Sequence, residues 1–170
     1  RFQLIAAMNP SPTGHYQGKH NRCSPEQTLR YLGKLSGPFL DRFDLSLEIP
    51  LPTRGLMSEP QQGGEGSDAV RARVVEAQAQ QHQRQQKLNA QLESSETRRF
   101  CALTKEDGKW LEETLTRLGL SVRAWQRLLK VARTIADLEK QETIRREHLQ
   151  EALSYRAIDR LLIHLQNMLA

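Results

Sequence analysis

The sequence predicts a mainly α-helical chain with a small α/β part at its start. Two short apolar strand patterns with a helical pattern between them occupy residues 1–52. Residues 53–67 are rich in Gly, Gln, Pro and Glu, a composition typical of a flexible linker. In residues 68–170, apolar side chains recur at helical spacing. We therefore predict three parts: a small α/β portion (1–52), a linker (53–67) and a helical bundle (68–170).

The first predicted strand covers residues 2–8 (FQLIAAM), an almost continuous apolar run. Such a run is typical of a strand that is covered on both faces in a parallel sheet. Residues 9–12 (NPSP) end it. The polar, glycine-containing residues 13–23 then predict a loop.

A helix is predicted after this loop. Ser24 is a suitable N-cap, Pro25 suits the first helical position, and Glu26 is an early acid. The apolar spacing carries this helix to about Leu35, and the Gly-Pro pair at 37–38 ends or bends it.

The second predicted strand covers residues 43–49, where apolar and polar side chains alternate. Residues 50–52 (PLP) close it, and the linker follows. Ser67 is predicted to cap a long helix from position 68 to about Leu92. The middle of this helix is rich in glutamine with little apolar stripe, so we expect it to stand away from a core.

Four further helices are predicted in the second half of the chain. A short one runs to about Cys101, and Thr104 caps the next, which ends at the C-terminal stop Gly119. Ser121 begins another, whose expected buried stripe is Leu128, Val131, Ala132, Ile135 and Leu138. Thr143 begins a further helical pattern, which resumes at Ile158 and continues to the chain end.

Composition limits the classes of protein. The net charge is +5, but the basic excess is spread along the chain, so it permits an acidic partner without demanding one. No apolar run is long enough for a membrane span, and the two cysteines form no disulfide framework. We expect a cytoplasmic protein without membrane contact. The chain begins at Arg1 inside a strand pattern, so we also expect a fragment of a longer protein.

Two polar residues are candidates for chemistry. Arg42 lies between Asp41 and Asp44 where the helical pattern gives way to a strand, so its guanidinium could meet a phosphate of a neighbouring molecule. The alternative is a surface ion pair. Asn9 follows the first predicted strand, at the end where ligands gather in parallel sheets. The alternative for Asn9 is a turn-former before proline.

Four blocks of sequence together resemble the ComM/YifB competence protein family, a magnesium-chelatase-like branch of the AAA+ ATPases. The blocks are residues 2–12 (FQLIAAMNPSP), 24–27 (SPEQ), 36–44 (SGPFLDRFD) and 131–138 (VARTIADL). The resemblance covers nearly the whole chain in the same order. It implies that residues 1–52 are the end of an AAA+ core and residues 68–170 its helical lid. It also implies a homo-hexamer that uses ATP and Mg²⁺ to drive DNA branch migration.

The resemblance also implies roles for particular residues. Asn9 matches the sensor-1 asparagine, which polarises the attacking water beside the γ-phosphate. Arg42 matches the arginine finger, which acts in trans on ATP of the adjacent subunit. Arg123 matches the sensor-2 arginine near the start of a helix, where an anion is favoured. Arg127, one turn later, is a reserve candidate. From the residues alone, a solvent-facing arginine is an equal alternative for Arg123.

The loop at residues 13–23 departs from the family pattern. Many relatives have cysteine pairs there at a spacing suited to zinc, whereas this loop offers only His15, His20 and Cys23, one ligand short of a closed site. We therefore expect no metal site. Lys19, His20 and Arg22 are candidates for contacts with DNA phosphates, and a mobile exposed loop is the alternative.

The chain contains no Gly-x-x-x-x-Gly-Lys-[Ser/Thr] phosphate loop. We therefore expect ATP and Mg²⁺ to be bound in the full-length protein and not by this fragment alone. Two rival functions remain open. One is a non-enzymatic helical module that binds DNA or protein, and the other is a metal-chelatase ATPase subunit.

Overall fold

The computed structural model describes residues 3–15, 18–40, 42–49 and 64–169. They belong to two compact units, the first formed by Arg1–Phe43 with Ala157–Ala170 and the second by Asp44–Arg156. The described helices and the one 3₁₀ turn among them are α1 (Pro25–Leu32), α2 (Gly37–Leu40), α3 (Ser67–Gln85), the turn Asn89–Gln91, α4 (Ser94–Phe100), α5 (Lys105–Arg117), α6 (Val122–Leu138), α7 (Arg146–Ser154) and α8 (Ala157–Asn167).

The first predicted strand is not confirmed. Residues 3–8 belong to no strand, and 86% of the Ile5 surface is exposed, with Leu4 and Met8 exposed as well. A strand exists through hydrogen bonds to its neighbours. Among the described residues the only β-bridge lies elsewhere, between Ser46 and Arg156. The apolar pattern is therefore present without the pairing that would make it a strand.

The second predicted strand is reduced to that single bridge. The Ser46 amide donates to the Tyr155 carbonyl oxygen at 2.6 Å, and the bridge to Arg156 is parallel. Residues 45–49 make no further bridge, and Leu47 and Ile49 are exposed. The segment is thus anchored at one point and not paired along its length.

Helix α1 begins as predicted. Ser24 Oγ accepts from the Gln27 amide at 3.2 Å, and Gln27 Oε1 accepts from the Ser24 amide at 2.9 Å, which completes a capping box. The helix ends at Leu32, before the predicted Leu35, because Gly33 already caps it. In the same unit α1 contacts α8.

The core of the second unit lies between α5, α6 and α7. Its centre is the apolar stripe of α6, where Leu128, Ala132 and Ile135 are buried as predicted. Val131 is only partly buried, and Leu138, which was also predicted to be buried, is exposed. The buried face also includes Leu129 and Ala136, so it is shifted around the helix relative to its sequence pattern.

Most helix boundaries in this unit follow their local signals. Thr104 accepts from the Asp107 amide and Ser121 from the Ala124 amide, so both predicted caps are confirmed. Gly119 has a φ of +61°, the left-handed conformation that ends a helix. Three boundary predictions were wrong. Ser67 does not cap the long helix but is its first residue, after the N-cap Gly66, and no side chain bonds the cap. The helix predicted from Thr143 begins at Arg146, and the helix predicted to reach Leu92 ends at Gln85.

The glutamine-rich sequence of α3 predicts a helix that stands away from the core, and this prediction is wrong. Its C-terminal part packs against α6, with Ala77, Gln81 and Gln85 buried, whereas Val70 and Val74 remain exposed. The buried amides are satisfied: Gln81 Oε1 accepts from the backbone amide of the 3₁₀ turn at 2.9 Å. Glutamine can therefore form a buried helix face when the neighbouring turn supplies donors.

The linker predicted at 53–67 lies mostly outside the described residues. The compact units divide the chain at other points, after Phe43 and again after Arg156. Helix α8 accordingly groups with the first unit, although the sequence assigns it to the helical bundle.

A buried carboxylate joins α3, the 3₁₀ turn and α6. Asp137 Oδ1 and Oδ2 accept from Arg84 Nη1 at 2.6 Å and Nη2 at 3.0 Å, a two-pronged ion pair. Asn89 Nδ2 donates to Asp137 Oδ2 at 2.8 Å, and Arg133 Nε donates to Asp137 Oδ1 at 3.1 Å. The side chain of Asp137 is fully buried, so these contacts replace its hydration shell.

Arg133 has a structural role beside the buried stripe of α6, where it is almost fully buried. Its guanidinium donates to the carbonyl oxygens of Glu142 at 2.8 Å and Gln141 at 2.5 Å, besides its bond to Asp137. The loop after α6 is therefore tied to the same carboxylate. Burial is the main cause that lowers the pKa of Arg133, and the nearby Asp137 carboxylate opposes it.

Replacing Asp137 by Asn tests this network. The variant keeps the side-chain shape but leaves the buried Arg133 without its counter-charge, so the free energy of unfolding should fall by about 3–5 kcal/mol. Urea denaturation followed by circular dichroism measures it. The matched control is Asp68→Asn, because the Asp68 side chain is 98% exposed and pairs with the exposed Arg71. Equal midpoints for both variants would contradict the assignment.

Cys101 should resist alkylation in the folded protein. Burial raises the pKa of its thiol to about 11, so the unreactive protonated form persists well above neutral pH. Iodoacetamide at pH 8.5 should modify the half-buried Cys23 first and Cys101 only after urea is added, as mass spectrometry would show. In a Cys23→Ser variant the folded protein should take up no label, and rapid uptake would refute the buried position.

Candidate functional site

Arg42 follows the short helix α2 at the surface of the first unit. Its backbone amide donates to the Phe39 carbonyl oxygen at 3.0 Å, and its Nη1 donates to the Pro38 carbonyl oxygen. The rings of Phe39 and Phe43 meet edge to face at 5.2 Å on either side of this turn. The backbone that carries Arg42 is therefore fixed locally while its side chain is exposed. Asp41, part of the same motif, lies outside the described residues.

Asn9 is exposed at the end of residues 3–9, which form no strand. Its predicted place at the carboxyl end of a strand is therefore not confirmed. A turn follows Asn9, in which Ser11 is fully buried. Ser11 Oγ donates to the His15 carbonyl oxygen at 2.6 Å, and the Gly14 amide donates to the Ser11 carbonyl oxygen at 3.1 Å. This local order fixes the chain immediately after Asn9.

Lys19, His20 and Arg22 are all exposed in the loop before α1. The Asn21 amide donates to the Gly18 carbonyl oxygen at 3.1 Å, which makes a turn. Asn21 Oδ1 accepts from the Cys23 amide at 2.9 Å. The turn presents three basic or titratable side chains within four residues. Such a surface suits contacts with phosphate groups.

The three possible zinc ligands of this loop have other contacts. The rings of His15 and His20 lie 5.6 Å apart, and Cys23 Sγ lies 3.4 Å from Thr13 Oγ1. Within the described part of the chain, three metal-ligating side chains converge only at Glu139, Glu147 and His148.

That second cluster is explained by helix capping. His148 Nδ1 accepts from the Arg145 amide at 2.9 Å, so the neutral ring carries its proton on Nε2 and donates it to Glu139 Oε2 at 2.9 Å. Glu147 pairs with Arg145 at 3.6 Å. The two ring nitrogens thus bond the residue that follows α6, Glu139, and the residue that precedes α7, Arg145.

Arg123 and Arg127 lie on one face of α6, because they are four residues apart. Arg123 is the second residue of the helix, two residues after the N-cap Ser121, and is exposed. The partial positive charge of a helix N-terminus adds to that of its guanidinium, so the position favours an anion. Arg127 Nη1 instead binds Asp44 Oδ1 at 2.6 Å.

The structure therefore distributes the predicted site residues between the two units. Asn9, the loop cations and Arg42 belong to the first unit, and Arg123 and Arg127 to the second. The contact between Arg127 and Asp44 was missed by sequence reasoning. The two residues are 83 positions apart, and no periodicity or local motif relates them.

No helix among the described residues is both long enough and apolar enough to cross a bilayer.

Comparisons with known proteins define the class to which these elements belong. The family described as magnesium chelatase, subunit ChlI, matches residues 1–56, and the family described as magnesium chelatase, subunit ChlI C-terminal, matches residues 64–156. The second match covers more than half of the chain. The chain therefore belongs to the magnesium chelatase subunit ChlI family and, within it, to the ComM/YifB group.

Individual relatives are similar over the whole chain. The YifB protein of Salmonella typhimurium is 69% identical over 170 residues, which is 100% of this chain and 34% of that protein. The competence protein ComM of Haemophilus influenzae is 56% identical over 168 residues, 99% of this chain and 33% of that protein. The chain thus spans about a third of the length of the curated relatives it matches.

Proposed function

We propose that this chain supplies the sensor residues and the arginine finger of an AAA+ ATPase that remodels DNA as a hexamer. The supporting observation is the 56% identity over 168 residues to a competence protein, together with the exposure of Asn9, Arg42 and Arg123. In this proposal residues 1–52 end the nucleotide-binding core, residues 53–67 link it to the lid, and residues 68–170 form the lid. The activity belongs to the longer protein of which this sequence is a part.

ATP with Mg²⁺ supplies the phosphoryl group whose transfer to water releases free energy. The residues present fit only part of such a ligand. Arg42 and Arg123 expose guanidinium groups, which bind phosphate oxygens well, but no phosphate-loop motif occurs in the 170 residues. In this proposal, side chains of this chain contact the terminal phosphate of ATP, and the main phosphate pocket lies elsewhere in the longer protein.

Arg42 is the proposed finger. Phosphoryl transfer is catalysed mostly by positioning and by neutralising charge that spreads over the equatorial oxygens. An arginine supplied by a neighbouring subunit contributes about 10³–10⁵ in rate in related systems. The turn after α2 fixes the Arg42 backbone through the hydrogen bond from its amide to the Phe39 carbonyl oxygen, so less conformational entropy is lost when the guanidinium binds a phosphate.

Asn9 and Arg123 have the sensor roles in this proposal. The carboxamide of Asn9 both accepts and donates hydrogen bonds, so it can orient a water for in-line attack. Arg123 lies at the N-terminus of α6, where charge and helix dipole act together on an anion. Binding at Arg123 would tie the lid to the state of the terminal phosphate.

DNA is the proposed macromolecular substrate, and Lys19, His20 and Arg22 are the proposed contacts. All three are exposed around one turn, and two carry a permanent positive charge. Contacts of this type go to the phosphate backbone, so they provide affinity and no sequence preference.

A chelatase subunit is the second candidate function. It is favoured by the descriptions of both matching families, which name magnesium chelatase. The competence relative favours DNA, because it is similar over 99% of this chain.

Replacing Arg42 by Ala tests the finger. In the full-length protein the variant should lose about 10³-fold in ATPase rate while it still binds nucleotide. Mixed with a variant whose phosphate loop is disabled, it should regain activity, because each subunit then supplies what its neighbour lacks. Arg30→Ala, an exposed arginine of the same unit, is the control and should behave like the unaltered protein. An Arg42→Ala protein with normal turnover would contradict the proposal.

A salt series tests the loop. Duplex binding by the full-length Lys19→Ala/Arg22→Ala protein should be weaker, and the slope of log affinity against log salt should be smaller by about two. Arg30→Ala/Lys34→Ala removes the same charge elsewhere on the unit and is the matched control. Identical slopes for the two double variants would show that the loop has no special part in DNA binding.

A further inference from the structure

We propose that Arg127 and Asp44 form a positioning link that ties the segment following Arg42 to helix α6, which carries Arg123. The inference rests on the proposed function, in which Arg42 acts on ATP of a neighbouring subunit. It assigns to Arg127 a role other than nucleotide binding. Neither residue touches the reacting atoms, so both are positioning residues.

The first observation is the ion pair itself. Arg127 Nη1 lies 2.6 Å from Asp44 Oδ1, with 31% of the Arg127 side chain and 58% of the Asp44 side chain exposed. A charge-assisted hydrogen bond of this length is short. Asp44 lies two residues after Arg42 along the chain, so a restraint on Asp44 limits the backbone that leads to the proposed finger.

The second observation is an independent anchor two residues further on. The Ser46 amide donates to the Tyr155 carbonyl oxygen at 2.6 Å, and Ser46 forms a parallel bridge with the buried Arg156. Residues 44–46 are thus held to α6 at one end and to the turn after α7 at the other. Two fixed points define the direction of this short segment, whereas one surface pair would leave it free to rotate.

The third observation concerns the helix that carries Arg127. Arg123 is one turn before Arg127 on the same face, and the distal end of α6 is fixed through the buried Asp137 carboxylate. In this proposal an anion that engages Arg123 shifts Arg127 with it, because one hydrogen-bonded turn of helix joins the two residues. The ion pair passes that displacement to Asp44.

The magnitude of the effect is limited by exposure. A half-exposed ion pair contributes little to stability, so its loss should leave the fold intact and reduce coupling by a factor of about two to five. That is far smaller than the loss expected for the finger itself. A small defect in turnover with normal folding is therefore the signature of the link.

The experiment is a double-mutant cycle in the full-length protein, with Asp44→Asn, Arg127→Gln and the pair combined. Each single variant should lower kcat two- to fivefold while KM for ATP stays within about twofold. The double variant should be no worse than either single one, because both remove the same contact. Glu113→Gln, which breaks the exposed pair with Lys109 in α5, is the control and should leave kcat unchanged.

The outcomes separate the link from the function on which it rests. If Arg42→Ala abolishes turnover but the two single changes are additive or without effect, the link is wrong and the finger stands. If Arg127→Gln alone raises KM, Arg127 is a nucleotide ligand and the link is again refuted. If Arg42→Ala leaves turnover normal, both proposals fail. Equal, non-additive losses in kcat support the link.

Discussion

The buried carboxylate of Asp137 is the interaction on which the second unit depends. It accepts hydrogen bonds from three chain segments at once, through Arg84, Asn89 and Arg133. Two guanidinium groups contact one carboxylate, so the cluster carries a net positive charge. Carbonyl oxygens of the loop after α6 accept hydrogen bonds from the Nη1 and Nη2 groups of Arg133. Removing Asp137 would leave the buried Arg133 without a counter-charge, and removing Arg84 or Asn89 would cut the contacts that hold α3 and the 3₁₀ turn against α6.

This arrangement gives α6 two different ends. Its C-terminal end is fixed by buried charge, whereas its N-terminal end begins with a serine cap followed by exposed Arg123. The backbone hydrogen bonds of α6 hold its two ends in a fixed geometric relation. Arg123 and the cluster around Asp137 therefore lie on the same helix, α6. The proposed response of Arg123 to the terminal phosphate depends on the rigidity that Asp137 gives this helix.

How much the sequence predicts depends on the range of the interaction. The caps at Ser24, Thr104 and Ser121 and the stop at Gly119 depend on neighbours within four residues, and all four are confirmed. The two strands require partners far along the chain, and only the bridge at Ser46 forms. The family was recognised because four local blocks occur together, whereas no local pattern could place one candidate residue against another.

The contact between Arg127 and Asp44 shows why this limit matters for function. On a helix, Arg123 and Arg127 are neighbours of like charge, and both are then equal candidates for a phosphate. Once a carboxylate neutralises Arg127 at 2.6 Å, the two cations are no longer equivalent, because Arg127 would have to give up that partner to bind an anion. Arg123 has no such ion pair among the described residues. The long-range acid thus distinguishes Arg123, the proposed sensor, from Arg127, the proposed positioning residue, on the same helix face.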